Sequence, residues 1–592
     1  MEARSSSSRR RRFDGAALTI PAVLDVQAAE RPDQIALHVA DVPLSYGQLA
    51  RRSVSAANAL SGLGVAPGDR VAVLMATSPE WVVLWFGLSR CGAVTVPINT
   101  AYKGEFLAHQ LRDSGATMVA VDDTLLSHVL DITAEVPSLR TVLVRPAGEG
   151  EDTEWRARVA GAERLVFEPI DCLDAGDTGY FESAARWNQP GAIFYTSGTT
   201  GPSKGALATQ HYLLSAAQTM VDCWGLQPGE AVYAPLPLFH LSAVGSVLGP
   251  LLAGGTGVID RAFSVQGTWD QVRRHQAVGV LGAGAMVNML WSLPEDVRDH
   301  DLPIRFLSAA PVAKDLYHAV QARWGCRIVT CYGLSEAFPL TIAGVDDDNP
   351  PGASGRVNPD FEVMVVDDDD HAVPAGTVGE IVCRPRRPHV MFEGYDGRDG
   401  DTVGQERNLW FHTGDLARFD DEGNLYYADR KKDAMRRRGE NISSFEIEQA
   451  LGRYDEVAEV AAVGVPSELG EDEVMVYVVA KPGCDLAVVP FMDFCCQQLP
   501  YFAVPRYVDV CGELPKNAVG RVLKHELRAQ ASGTAPGTVT TPATWCRGER
   551  RSARPTGSRP PSIIGYGQEH GPRRTAGPYR PQVSRPSFPG VR

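Results

Sequence analysis

Tyr195-Thr196-Ser197-Gly198-Thr199-Thr200-Gly201-Pro202-Ser203-Lys204-Gly205-Ala206 is the stretch on which the reading of this chain turns. It follows an apolar run, Ala192 to Phe194, that predicts a strand, and it precedes a helix expected to begin near His211. Its composition suits a polyphosphate cradle. Glycines let backbone N–H groups approach an anion, the hydroxyls of Thr196, Ser197, Thr199 and Thr200 donate to phosphoryl oxygens, and Lys204 adds a mobile positive charge. No Gly-Lys-Ser/Thr ends the stretch, so it is not the common P-loop. Plain surface turns share this composition, and the surrounding sequence has to decide between the two.

Upstream, Ser45 opens a helix with a capping box completed by Gln48, and Leu49, Ala56, Ala57, Leu60 and Leu63 recur at helical spacing until Gly64. A strand at Arg70 to Leu74, a helix at Glu80 to Cys91 and a strand at Ala93 to Val96 follow. Repeated α/β alternation implies a mainly parallel sheet covered on both faces, and it continues past residue 330. From Gly352 to Tyr427 the texture changes to short strands and Gly, Pro and Asp turns, including the run Asp367 to Asp370. After the basic cluster Arg430 to Arg438, strands at Val457 to Val465 and Val474 to Ala480 and a helix near Val489 to Gln498 make a small α+β domain. The expected division is a frayed, disordered N-terminus (1–19), a large α/β domain carrying a β subdomain (20–431), a small mobile α+β domain (432–530) and a tail (531–592). That tail holds ten Pro, nine Gly and ten Arg, no Lys, and only Glu549 and Glu569 as acids. Such a composition does not offset its ordering entropy and is expected to stay disordered.

The chain has 592 residues, more than one core of roughly 250 to 300 residues accommodates. Hydrophobic residues at 44% and charged residues at 22% belong to a folded globular protein. A net charge of −15 disfavours phosphate backbones and anionic lipid, so no nucleic acid is expected as partner. The eleven Cys form no CxxC and no metal-ligand spacing, which suits a reducing cytoplasm and no structural metal. The uncharged stretch Leu241 to Ile259 approaches membrane-span length, but Pro250 and its glycines point to buried core, and no membrane insertion is expected. Asp14 likewise interrupts the basic N-terminus where an export signal needs an apolar run.

With those elements placed, the string from Tyr195 to Ala206 closely resembles the phosphate loop of the adenylate-forming superfamily, which includes acyl-CoA synthetases, aryl-CoA ligases, peptide-synthetase adenylation domains and luciferases. Further motifs occur in that superfamily's order: Pro235-Leu-Pro-Leu-Phe-His240, Cys331-Tyr-Gly-Leu-Ser-Glu336, Trp410-Phe-His-Thr-Gly-Asp415, and Asp429-Arg-Lys-Lys-Asp433 leading into Arg438-Gly-Glu-Asn-Ile442. The resemblance covers about residues 20 to 530. The wording from Arg437 to Ser444 is most similar to bacterial acyl-CoA ligases of the carnitine and crotonobetaine type.

The resemblance implies roles for individual residues. Thr196, Ser197, Gly198, Thr199, Thr200, Gly201 and Lys204 hold the phosphates of ATP, and Glu336 holds Mg²⁺, whose preferred ligands are carboxylate and phosphate oxygens. Tyr332 stacks on adenine beside Gly333, and Ser308, Ala309 and Ala310 line the base, where many relatives have Gly-Gly-Ala. Asp415 accepts from both ribose hydroxyls, supported by Arg430. His240 gates the acyl pocket, which Gly282 to Met286 line. Lys432 is the hinge about which the small domain turns between half-reactions, and Gly439 leaves room for a pantetheine arm.

One departure stands out in Leu514-Pro-Lys-Asn-Ala-Val-Gly-Arg521-Val-Leu-Lys524. Arg521 replaces the lysine that bridges carboxylate and nucleotide in relatives; a guanidinium is bulkier and planar, and Lys524 is the other candidate for the role. The expected function is an AMP-forming carboxylate ligase that makes an acyl-adenylate and passes the acyl group to coenzyme A. The alternatives are an amide synthetase delivering it to an amine, as the aminocoumarin antibiotic ligases do, and a non-catalytic nucleotide-binding protein.

Overall fold

Ser45 accepts from Gln48 N at 3.1 Å while Gln48 Oε1 accepts from Ser45 N at 2.8 Å, so the expected capping box starts the helix Tyr46–Gly62. Ser78 caps the next helix, Pro79–Cys91, and Gly92 ends it at φ 69°, a backbone conformation that favours glycine. The computed structural model describes residues 18–146, 152–159, 164–196, 202–310, 312, 314–430, 434–438, 440–467, 471–484, 486–516, 522–531 and 539–540.

Two large sheets carry the first 345 or so residues. One has seven strands in the order Val166–Pro169, Thr141–Arg145, Met118–Asp122, Arg70–Leu74, Val94–Pro97, Pro190–Thr196 and Lys204–Thr209, and all neighbours are parallel except the last pair. The other has nine strands, with Ala277–Ala283, Phe306–Ala310 and Arg327–Leu334 lying parallel near its middle. Helices cover these sheets, and buried Val, Leu, Ile and Trp fill the layers between. A five-stranded, antiparallel β unit follows, built on Phe361–Val366, Gly379–Pro385 and Trp410–Phe419. The fold class is therefore the expected α/β arrangement with a β subdomain and a small α+β domain.

The string from Tyr195 to Ala206 departs from the expected strand, loop and helix. Lys204–Thr209 is a strand that pairs antiparallel with Pro190–Thr196, setting Thr196 opposite Lys204 and Tyr195 opposite Gly205. The helix, Gln210–Trp224, begins only after it, capped by Thr209. The strands on either side of this loop therefore pair as a hairpin. Residues 197–201 lie outside the described residues.

The stretch from Leu241 to Ile259 resolves into the helix Ser242–Ala253, containing Pro250, and the buried strand Thr256–Ile259. Among the described residues no helix is long and apolar enough to cross a membrane. Among the described residues nine cysteines carry free thiols and Cys496 is disulfide-bonded.

In the small domain Val457–Pro466 pairs antiparallel with Asp472–Ala480, which pairs parallel with Tyr507–Cys511. Its core includes Phe106 from the large domain's helix Gly104–Asp113, and Arg453 reaches Glu105 at 2.5 Å. The boundary drawn at 531 from composition cuts into ordered structure: Val539–Thr540 adds a strand to Tyr507–Cys511. A two-residue strand is too short to carry any hydrophobic period. Residues 541–592, most of the proposed tail, lie outside the described residues, as do residues 1–17. Ending the chain at Cys546 is expected to leave thermal unfolding unchanged. Ending it at Gln530 uncovers the edge of Tyr507–Cys511 and is expected to lower melting of the small domain by several degrees, since about 1 kcal/mol moves a domain of about 100 residues by roughly 4 to 8 °C. Calorimetric scans of both truncations check this.

Candidate active site

The two strands Arg327–Leu334 and Ala337–Ala343 form a hairpin whose turn carries Ser335 and Glu336. Tyr212 Oη donates to the Ser335 carbonyl at 3.1 Å, which fixes the turn. Glu336 is 5% exposed, and its Oε1 accepts from Tyr395 Oη at 2.7 Å and from Thr196 Oγ1 at 3.2 Å. Burial, and then the neighbouring Glu336 carboxylate, push the Tyr395 phenol far above its usual range, so it stays a donor. Lys204 Nζ lies 3.5 Å from Asp401 Oδ2 and 5.0 Å from the centre of the Tyr395 ring. Glu336 thus meets Thr196, 140 residues before it, beside Lys204 at the root of the Ser/Thr/Gly loop. Tyr395 and Asp401 join them, and nothing in their local sequence marked either one.

A second group of side chains gathers on the β unit. Asp415 is 5% exposed on the strand Trp410–Phe419, and Tyr332 Oη donates to its Oδ2 at 2.8 Å. Gly414, at φ 72°, donates its N–H to Glu380 Oε1 at 3.2 Å, at the register shift in the strand just before Asp415. Arg430 stands opposite Asp415 in the strand register, and its side chain is outside the described set. The Tyr332 ring lies 6.0 Å from that of Tyr427. Replacing Asp415 with Asn keeps an acceptor for Tyr332 but turns the other oxygen into a donor. It is expected to weaken nucleotide binding by on the order of 1 to 3 kcal/mol, read by titration calorimetry with AMP, and unchanged affinity would remove Asp415 from the site.

Ser308, Ala309 and Ala310 end a strand parallel to Ala277–Ala283, with Gly282 opposite Ala309 and Ala283 opposite Ala310. Ligand crevices of α/β sheets lie at such carboxyl ends. Gly333, next to Tyr332, has no room for a side chain: a Cβ there would sit 2.8 Å from the Ala337 carbonyl oxygen.

Among the described residues the small domain touches this region at His240 and at Ser203. His240 Nε2 is 3.2 Å from Glu440 Oε1, the residue after Gly439. Ser203 N, at the end of the loop, donates to Glu446 Oε1 at 2.9 Å, while the Ser203 carbonyl lies 2.8 Å from His109 Nε2. Burial raises the carboxyl of Glu446 above its ordinary range. Lys524 Nζ lies 2.7 Å from Glu448 Oε1 and 2.5 Å from Ser444 Oγ, so here it is engaged within its own domain, and Lys516 pairs with Glu459 at 2.6 Å. Lys432, Gly439 and Arg521 lie outside the described residues. Among the described residues no three His, Cys, Asp or Glu side chains gather as a metal cage.

The family described as AMP-binding enzyme matches residues 24–395, and that described as AMP-binding enzyme C-terminal domain matches residues 446–521. A long-chain-fatty-acid–CoA ligase of Escherichia coli O6:H1 is 32% identical over 514 residues, covering 83% of this chain and 90% of that protein. A crotonobetaine/carnitine–CoA ligase of Salmonella paratyphi C is 28% identical over 509 residues, covering 82% of this chain and 93% of its own length. The solved o-succinylbenzoate CoA synthetase of Bacillus subtilis, a double mutant with a product analogue, superposes with a TM-score of 0.73 at 22% identity, covering 86% of this chain and 99% of that one. That last likeness speaks for the fold alone.

Proposed function

This chain belongs to the AMP-binding enzyme family, and on that premise we propose that it is an AMP-forming carboxylate ligase using ATP and Mg²⁺, with coenzyme A as acyl acceptor. The observation that carries the reading is Glu336 meeting Thr196 at 3.2 Å across 140 residues of sequence, beside Lys204 at the root of the Ser/Thr/Gly loop. In the first half-reaction an oxygen of the acid attacks the α-phosphorus of ATP and pyrophosphate departs; in the second a thiolate attacks the acyl carbon and AMP departs. Charge accumulates at both stages, so positioned cations and donors supply most of the help.

The chain's own residues divide that work. Residues 196–201 and Lys204 receive the phosphates. A buried carboxylate fits Mg²⁺, which prefers oxygen ligands and shares them between protein and phosphate, and Glu336 would hold it. Bound there, the ion would supply neutralisation of phosphate charge. Asp415 and Arg430 take the ribose, Tyr332 and residues 308–310 the adenine, and Gly282 to Met286 the acyl group. Arg521 or Lys524 offsets the carboxylate during adenylation. The small domain then turns about Lys432, bringing Gly439 and Glu440 to His240. The contact between Glu440 and His240 supports a conformation suited to acceptor entry, and the names of two curated relatives support coenzyme A. With an accepted acid and ATP, mass spectrometry is expected to find the acyl-CoA when CoA is supplied. An amide formed from a supplied amine, with CoA unused, would replace the CoA reading with the amide synthetase.

A further inference from the structure

The inner end of the proposed acyl pocket is already filled. On the helix-facing side of the central sheet, side chains stand in layers set by the parallel register: Ala283 with Ala310 at the open end, Leu281 with Ser308 beneath, and Gly279 with Phe306 beneath that. Ala283 and Ala310 are half-buried, whereas Leu281 and Phe306 are 5% and 0% exposed. The facing helix, Ser242–Ala253, starts two residues after His240 and turns Gly245 and Gly249, one turn apart, toward this space. Two glycines opposite a sheet leave a slot down which a long acyl chain could run.

Trp224 occupies that slot. It is the last residue of the helix Gln210–Trp224 and is 1% exposed. A Cβ at Gly249 would lie 2.9 Å from its Cζ3, and one at Gly245 would lie 3.3 Å from its Cη2. The indole stacks on the Phe306 ring at 5.7 Å and 7°. Phe306 in turn lies over Gly279, where a Cβ would fall 2.0 Å from a ring carbon. Each glycine is thus matched to an aromatic face, and close packing of this kind yields little to an inserted chain.

We infer that Trp224, stacked on Phe306 beneath the Leu281 layer, is a specificity-determining residue that backs the floor of the acyl pocket and restricts the acid to short-chain or single-ring carboxylic acids. From Ala283 to Leu281 the strand rises about 7 Å, room for one aromatic ring or about six carbons. This inference deepens the ligase reading and rests on it.

The test measures acid-dependent pyrophosphate exchange with butanoate, hexanoate, benzoate, decanoate and hexadecanoate, for the unaltered protein and for Trp224→Ala. The unaltered protein is expected to favour the small acids over hexadecanoate by about 100-fold or more. Trp224→Ala is expected to move the preferred chain length upward by several carbons, with the KM for ATP within about threefold of the original. Hexadecanoate used as fast as hexanoate by the unaltered protein contradicts the inference and leaves the ligase reading intact, as does an unchanged length profile in folded Trp224→Ala. Exchange with no acid of any length contradicts the ligase reading itself. Where Trp224→Ala does not fold, Trp224→Leu keeps more of the packing, and the profile of the unaltered protein is decisive by itself.

Discussion

Glu336→Gln is expected to lower acid-dependent pyrophosphate exchange by about 10³-fold, at the upper end of what one positioned electrostatic group contributes. The substitution is nearly isosteric, and its amide oxygen can still accept from Tyr395 and Thr196, the donors now at 2.7 and 3.2 Å. The packing of the turn therefore survives and only the negative charge is lost. If that charge holds Mg²⁺, the residual activity needs a higher Mg²⁺ concentration while the thermal midpoint stays put. Tyr395→Phe makes the complementary case, removing a donor to the carboxylate and keeping the ring beneath Lys204. A Glu336→Gln protein with ordinary exchange and an ordinary Mg²⁺ requirement would leave the carboxylate as a structural acceptor for two hydroxyls.

The second large effect belongs to the other half-reaction. Gly439→Trp is expected to cut acyl transfer from a supplied acyl-adenylate to CoA by about 10²-fold or more while exchange stays within a few-fold, because misplacing a reactant by about 1 Å already costs that much. Glu440, the next residue, lies 3.2 Å from His240, so a bulky neighbour stands at the proposed acceptor entry. Gly439→Ala serves as the mild control. Parallel loss of both activities would mean that the substitution damages the domain and not the entry.

The candidate residues were nominated by strings whose order is distinctive, and the structure brings Thr196 to Glu336 and Tyr332 to Asp415. What was not readable has a common physical origin. Tyr395 bonds Glu336 across 59 residues and Glu446 bonds Ser203 across 243, and no local period or spacing signals contacts at that range. The strand Lys204–Thr209 escaped because Lys-Gly-Ala-Leu-Ala-Thr is mostly small residues with weak strand preference, and pairing with Pro190–Thr196 decides it. Trp224 reads as ordinary core, and only the glycines that face it reveal that it fills a slot.

The most direct measurement is exchange of labelled pyrophosphate into ATP in the presence of Mg²⁺ and a panel of carboxylic acids from butanoate and benzoate to hexadecanoate. Exchange that appears only when an acid is added, and that disappears in Glu336→Gln, is the predicted result. Tight binding of ATP with no acid-dependent exchange across the panel would contradict it and leave a nucleotide-binding protein on a ligase fold.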